Sequence, residues 1–384
     1  ASSILYWDNS VLLPKGARED RASQLTVLAR LSHQRKTDPR IADWLEEAKT
    51  DASLDDWQKA NLREIERDYR NNTCMPADLV EAKVKADSEC EAVWREAREQ
   101  SDFKMVQPLL AEVLRLTQEE AKVRSEASGL GLYDALLDLY EPDGRTAEID
   151  PIFADYKAFL PDFLSDVLDA QDARTPVKSL RGPFDIAAQE ALGRDVMGTL
   201  GFEFDNGRLD VSTHPFCGGT PSDVRMTTRY DEADFTSSLM GVIHETGHGL
   251  YEQGLPTAYR SQPVGHARGM ALHESQSLFM EMQVGRSRAF LKYLTPKMQA
   301  AFAGNTPAWN AENLYRVYTR VDPGYIRVDA DEVTYPAHAI LRYELEQKLL
   351  SGDLPLDDLP EAWNQGLHKL LGLVPAASSA TSPV

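Results

Sequence analysis

Cysteine is scarce in this chain: Cys74, Cys90 and Cys217 are the only three among 384 residues. Their odd number and wide separation fit neither a disulfide framework nor a cysteine metal site, and they suit a reducing compartment. Positive charge is also short, with 41 Lys and Arg against 61 Asp and Glu, a net charge of −20. A surface of that sign repels nucleic acid and anionic membranes, so neither is an expected partner. No apolar run approaches the ~18 residues that a membrane-spanning helix needs. The opening ASSILYWDNS lacks the basic start and long apolar stretch of a secretory signal. The cytoplasm is therefore the expected location.

Strand patterns are few as well, and helical ones fill most of the chain. Leu25, Leu28 and Leu31 form one stripe, and Leu62, Ile65 and Tyr69 another. Leu79, Ala82, Ala86, Cys90, Val93 and Ala97 recur at spacings of three and four, with Pro76 at the plausible first turn. Helical spacing continues from Phe103 to about Ser128, resumes over Phe153–Leu168 and Asp185–Leu200, and returns after residue 274. The one strand-like stretch lies between Leu209 and Tyr230, where Arg225-Met-Thr-Thr-Arg-Tyr230 follows a turn region around Pro215 and Gly218-Gly219. The expected fold class is mainly α, with one small β-sheet. One domain over 1–384 is expected, divided into an N-terminal helical region of about 1–145, a second region of about 146–374, and a disordered tail at 375–384 (PAASSATSPV).

Directly after the strand-like stretch comes His244-Glu245-Thr246-Gly247-His248. On a helix, residues four apart share a face, so both imidazoles can address one metal ion while the intervening carboxylate reaches a water on it. Leu239, Met240, Val242 and Ile243 lead into the motif, and Leu250 and Tyr251 lead out. A helix apolar on most sides is buried, and buried His and Glu need partners. A hydrolytic site needs a third protein ligand and an open fourth position. Glu274, 26 residues beyond His248 in an apolar helical setting, is the best candidate; His273 and His266 are its rivals. A strand beside such a helix can hold an extended peptide by main-chain pairing.

Two further clusters carry chemistry. His214-Pro-Phe216 precedes Asp223 and Arg225, which share a strand face and form either a structural ion pair or a polar wall that orients substrate. Arg327, in IRVDADEVTY, either is neutralised by its acidic neighbours or grips a peptide's terminal carboxylate through two parallel hydrogen bonds.

Taken in order, these segments resemble peptidase family M32, the carboxypeptidase Taq family. HPF is His214–Phe216, D-x-R-x-T is Asp223–Thr227, and the zinc helix is His244–His248. H-E-S-Q is His273–Gln276, and I-R-x-x-A-D is Ile326–Asp331. The early segment holding Trp7, Asp8, Arg21 and Gln24 is similar too. The resemblance implies a large helical peptidase with a deep cleft walled by the N-terminal helices, and usually a homodimer. It implies one divalent metal, zinc first with cobalt or manganese as alternatives, held by His244, His248 and Glu274. Glu245 would then be the general base, Arg327 the carboxylate anchor, and His214, Asp223 and Arg225 would contact substrate. The expected activity is zinc-dependent removal of C-terminal residues from peptides. A gluzincin oligopeptidase or dipeptidase, or a metal-binding short form with impaired catalysis, is the alternative. The family's later G-x-x-Q-D-x-H-W and G-Y-F-P-T-Y segments do not appear, so the chain is expected to be short of the family's full extent, more so at the C-terminus.

Overall fold

The computed structural model describes residues 1–212 and 215–374. His214 and the tail expected at 375–384 lie outside the described residues. Helices α1 (Ser2–Val11), α2 (Arg18–Lys36), α3 (Arg40–Lys49) and α4 (Asp56–Thr73) are followed by α5 (Ala77–Gln100), α6 (Phe103–Ser128), α7 (Leu132–Leu137), α8 (Thr146–Asp172) and α9 (Ile186–Leu200). Three strands come next: β1 (Gly207–Val211), β2 (Phe216–Thr220) and β3 (Asp223–Thr228). Helices α10 (Phe235–Gln253), α11 (Met270–Leu278), α12 (Arg288–Ala301), α13 (Ala311–Tyr318), α14 (Tyr335–Ser351) and α15 (Leu359–Leu371) complete the chain. The protein is mainly helical with one small mixed sheet, as its periodicity predicts.

The chain forms two compact units. The first joins Ala1–Tyr69 to Pro176–Thr319; the second joins Arg70–Thr175 to the chain from Arg320 onward.

In the second unit, the long stripe predicted on α5 is the buried one. Leu79, Ala86, Cys90 and Ala97 face Val106 and Leu116 of α6. Pro76 stands immediately before the first turn, where its missing N–H costs nothing. Asp102 caps α6 by accepting a hydrogen bond from the Lys104 amide. A second cluster packs Leu160 and Leu164 of α8 against Leu341 and Leu345 of α14 and Leu367 of α15.

In the first unit, α10 is the axis. Asp234 caps it, accepting from the Thr236 amide and from the hydroxyls of Thr236 and Ser237. One flank, Phe235, Leu239, Met240 and Ile243, enters a core with Val196 of α9, Leu291 and Leu294 of α12, and Trp309. The opposite flank, through Val242, packs on Leu209, Val224 and Met226 of the sheet. Sheet order is β1-β3-β2; β1 runs parallel to β3 and β2 antiparallel to it. Gly219, next to last in β2, has φ +99°, in the left-handed region open to glycine, and lets the chain turn back into β3. The stripe on α2 behaves differently: no residue of that helix is fully buried, and Leu31 is 49% exposed.

A third side of α10 meets the backbone of α11. A Cβ added at Gly247 would stand 2.4 Å from the Gln276 carbonyl oxygen and 2.5 Å from Ser277 Cα. Both are below any real contact distance, so only glycine permits this approach. Gly247→Ala is expected to destabilise the metal-free protein by about 1–3 kcal/mol through overpacking. Gly241→Ala, one and a half turns earlier with no atom within 4 Å of the added Cβ, is expected to be neutral or to stabilise by up to about 1 kcal/mol. Urea unfolding of the two variants distinguishes them; equal midpoints would refute the packing constraint.

Candidate metal centre

His244 and His248 leave α10 on one face, one turn apart, with ring centroids 5.0 Å from each other. Opposite them is Glu274 on α11. His244 Nε2 lies 3.4 Å from Glu274 Oε1, and His248 Nε2 lies 3.3 Å from Oε2. One ligand atom from each of the three residues falls within 4.8 Å of the other two. A tetrahedral zinc with ligand bonds of about 2.0–2.2 Å places neighbouring donor atoms about 3.3–3.6 Å apart. Both imidazole–carboxylate distances match that edge.

The other ring nitrogens show which atoms are free to ligate. His244 Nδ1 is 3.0 Å from Glu281 Oε2, and the Glu281 carboxylate is paired on its other side with Arg286. An ionised carboxylate only accepts, so His244 donates from Nδ1 and presents a lone pair at Nε2. His248 Nδ1 is 2.7 Å from Nδ1 of His273, which leaves His248 Nε2 facing Glu274. Lone pairs from three groups thus converge on one point, a donor set that attracts a divalent cation.

The electrostatics follow the same geometry. Burial lowers the His244 pKa, but the hydrogen bond to Glu281 and the charges of Glu274 and Glu281 outweigh it and hold it above the ordinary histidine value. The hydrogen bond with His248, aided by the charges of both ligand-side histidines, holds Glu274 below the usual carboxylate range despite its partial burial. Burial drives Glu245 the other way, above the ordinary glutamate value, against the pull of His244 and His248. Glu245 is 7% exposed, and its Oε2 is buried without a hydrogen-bond partner among the described residues. A buried, unpaired carboxylate oxygen one residue from a candidate ligand histidine is costly unless function uses it.

The structure therefore brings His244, Glu245, His248 and Glu274 together. It does not bring Asp223 and Arg225 to them. Val224 and Met226 point from β3 into the cluster beneath α10, so the alternating Asp223 and Arg225 emerge on the other face. There Arg225 makes two 3.0 Å hydrogen bonds to Asp223, and its guanidinium lies 4.3 Å from the ring centroid of Trp7 of α1. In the second unit, half-buried Arg327 donates from Nη1 to the Tyr335 hydroxyl at 2.9 Å. Among the described residues it has no carboxylate partner: Asp331 instead accepts from the amides of Asp322, Val333 and Thr334.

Sequence reasoning missed Glu281, and did not pair Glu252 with the site. Glu281 lies seven residues after Glu274 and Glu252 four after His248, both helical repeats of the candidate ligand positions. That spacing was the available signal. A π-helical segment, Phe279–Gly285, carries Glu281, and such turns often mark functional sites.

Two histidines one helical turn apart and a glutamate from the next helix define a metallopeptidase-type site. The comparisons make that class specific. The family model for carboxypeptidase Taq (M32) metallopeptidases matches residues 1–380, and the chain belongs to that family. Thermostable carboxypeptidase 1 of Thermus thermophilus is 39% identical, over 97% of this chain and 75% of its own length. Carboxypeptidase 1 of Bacillus subtilis is 33% identical, over 98% and 75%. Among solved structures, metallocarboxypeptidase 1 of Trypanosoma cruzi superposes with a TM-score of 0.94 at 42% identity, over 97% of this chain and 75% of that one. The M32 carboxypeptidase of Deinococcus radiodurans superposes at 0.92 and 33% identity, over 99% and 76%. The recognised resemblance and the fold class both hold, and homologous carboxypeptidases cover nearly the whole chain.

Glu281→Ala removes the acceptor behind His244 and is expected to weaken metal binding by about 10–100-fold. Competition against a chromophoric chelator measures it. Unchanged affinity would mean that the Glu281 contact does not orient a ligand.

Proposed function

We propose that the protein is a zinc-dependent carboxypeptidase that hydrolyses the last peptide bond of a peptide. One observation carries the reading: His244, His248 and Glu274 converge within 4.8 Å beside the buried, unpartnered Oε2 of Glu245. His244, His248 and Glu274 would hold a divalent ion, zinc first and cobalt or manganese by availability, and the chemistry it would supply when bound is polarisation of the scissile carbonyl and acidification of water.

The chain's own residues do the rest. Glu245 takes the proton of the attacking water at Oε2 and passes it to the leaving amine nitrogen. Burial raises its pKa above the ordinary glutamate value, the direction that favours both accepting and returning a proton. Glu281 and Arg286 hold the His244 ring so that Nε2 stays available. Water attacks directly, so no acyl-enzyme forms. Arg327, as the family resemblance implies, is the proposed anchor of the substrate's terminal carboxylate, the interaction that would fix the cleaved bond as the last. The outer edge of β2, unpaired within the sheet, offers main-chain partners to an extended peptide.

Two experiments test this. A peptide with an amidated C-terminus is expected to be cleaved at least about 100-fold more slowly than the free acid, and Arg327→Ala to erase most of that difference. Equal cleavage of both peptides by the wild-type chain would favour an endo-acting oligopeptidase. Glu245→Gln is expected to keep one metal per chain and lose about 10²–10⁴-fold in kcat. Retained turnover in a folded, metal-loaded variant would refute the assignment of the base.

A further inference from the structure

The two histidines of α10 are backed by different chemistry. Behind His244 stands a carboxylate, Glu281. Behind His248 stands another imidazole, His273, whose far nitrogen Nε2 lies 3.0 Å from Glu252 Oε1. Glu252 is on α10 itself, one turn beyond His248, and His273 is on α11 immediately before Glu274. The ring of Tyr251 stands edge-on to His273, perpendicular to it, with centroids 5.0 Å apart.

We infer that Glu252 and His273 are positioning residues that fix the tautomer and ring plane of His248, so that metal affinity depends on a pair touching neither metal nor substrate. This rests on His248 being a metal ligand, as proposed above. The proton placement follows link by link. An ionised Glu252 only accepts, so His273 carries its proton on Nε2 and donates it there. In that tautomer His273 Nδ1 holds a lone pair and accepts from His248 Nδ1 at 2.7 Å. His248 Nε2 is left with a lone pair toward Glu274. Move the His273 proton to Nδ1, and two donors face each other. His248 must then give up its Nδ1 proton and carry one on Nε2, the atom the metal needs. Glu252 is thus the group that selects the ligating tautomer two residues away in the chain of contacts. The Tyr251 ring fixes the plane in which His273 meets His248.

The test is zinc affinity, measured by chelator competition on the full chain, with folding of each metal-free variant checked by thermal unfolding. His273→Ala is expected to weaken zinc by about 10–100-fold. His273→Asn, whose Oδ1 takes the place of Nδ1 as acceptor, is expected to recover most of the loss. Glu252→Gln can both donate and accept, so it no longer selects one tautomer of His273; it is expected to weaken zinc by about 10-fold in the natural background. In the His273→Ala background it should change nothing. Overturning results are a His273→Ala variant that binds zinc normally while His248→Ala does not, or a Glu252→Gln cost of equal size in both backgrounds. Normal zinc binding by His248→Ala would remove the ligand assignment itself, and the inference with it.

Discussion

The contact on which the site depends is backbone against backbone, at Gly247. Helix α11 runs so close to α10 there that no side chain fits between them. Covalent geometry sets His244 and His248 on one face of α10, but nothing local brings a third donor to meet them. The missing Cβ does. It lets α11 approach until Glu274 lies 3.3–3.4 Å from both imidazoles, and carries His273 into contact with His248. The remaining faces of α10 are committed to apolar packing, toward α9 and α12 on one flank and the sheet on the other. A helix held on three sides leaves its histidines little freedom, which is what a precise ligand set requires.

Around that contact His244 and His248 are buttressed unequally. Glu281 is a charged acceptor, itself compensated by Arg286. Behind His248 stands His273, whose far nitrogen lies 3.0 Å from the Glu252 carboxylate. The two sides differ in depth: Glu281 and Arg286 are more buried than His244, whereas His273 and Glu252 lead from His248 toward solvent. The buried Oε2 of Glu245 has no partner among the described residues, and the pKa of that residue is raised by burial first. An account of the site as a structural ion cluster has no use for that orphan; the proposed hydrolysis does.

How much of this was legible in the sequence differs by residue. The paired histidines were, because the four-residue spacing is a property of any helix. Glu274 was, because the length of the intervening chain suited a turn and a second helix. Glu252 and Glu281 sit at spacings that place them on the site's face, yet nothing in a sequence separates them from charges on a solvated helix face. The phase of β3 was not legible: alternation puts Asp223 and Arg225 on one face, but only the packed structure shows that Val224 and Met226 take the face toward α10. Periodicity also marked stripes on both α2 and α5, and only that of α5 is buried. Period fixes which side of a helix is apolar, not whether another element comes to cover it. The mainly helical class and the place of the small sheet, just ahead of the motif helix, were plain from patterning alone.

The most direct test of the account is the position of the bound ion. Anomalous diffraction collected at the zinc edge from crystals grown with one equivalent of zinc locates it without reference to activity. The account predicts one strong peak about 2.0–2.2 Å from His244 Nε2, His248 Nε2 and a carboxylate oxygen of Glu274. A peak on His273 in place of His248, or no peak at this cluster in crystals that hold zinc elsewhere, would contradict it.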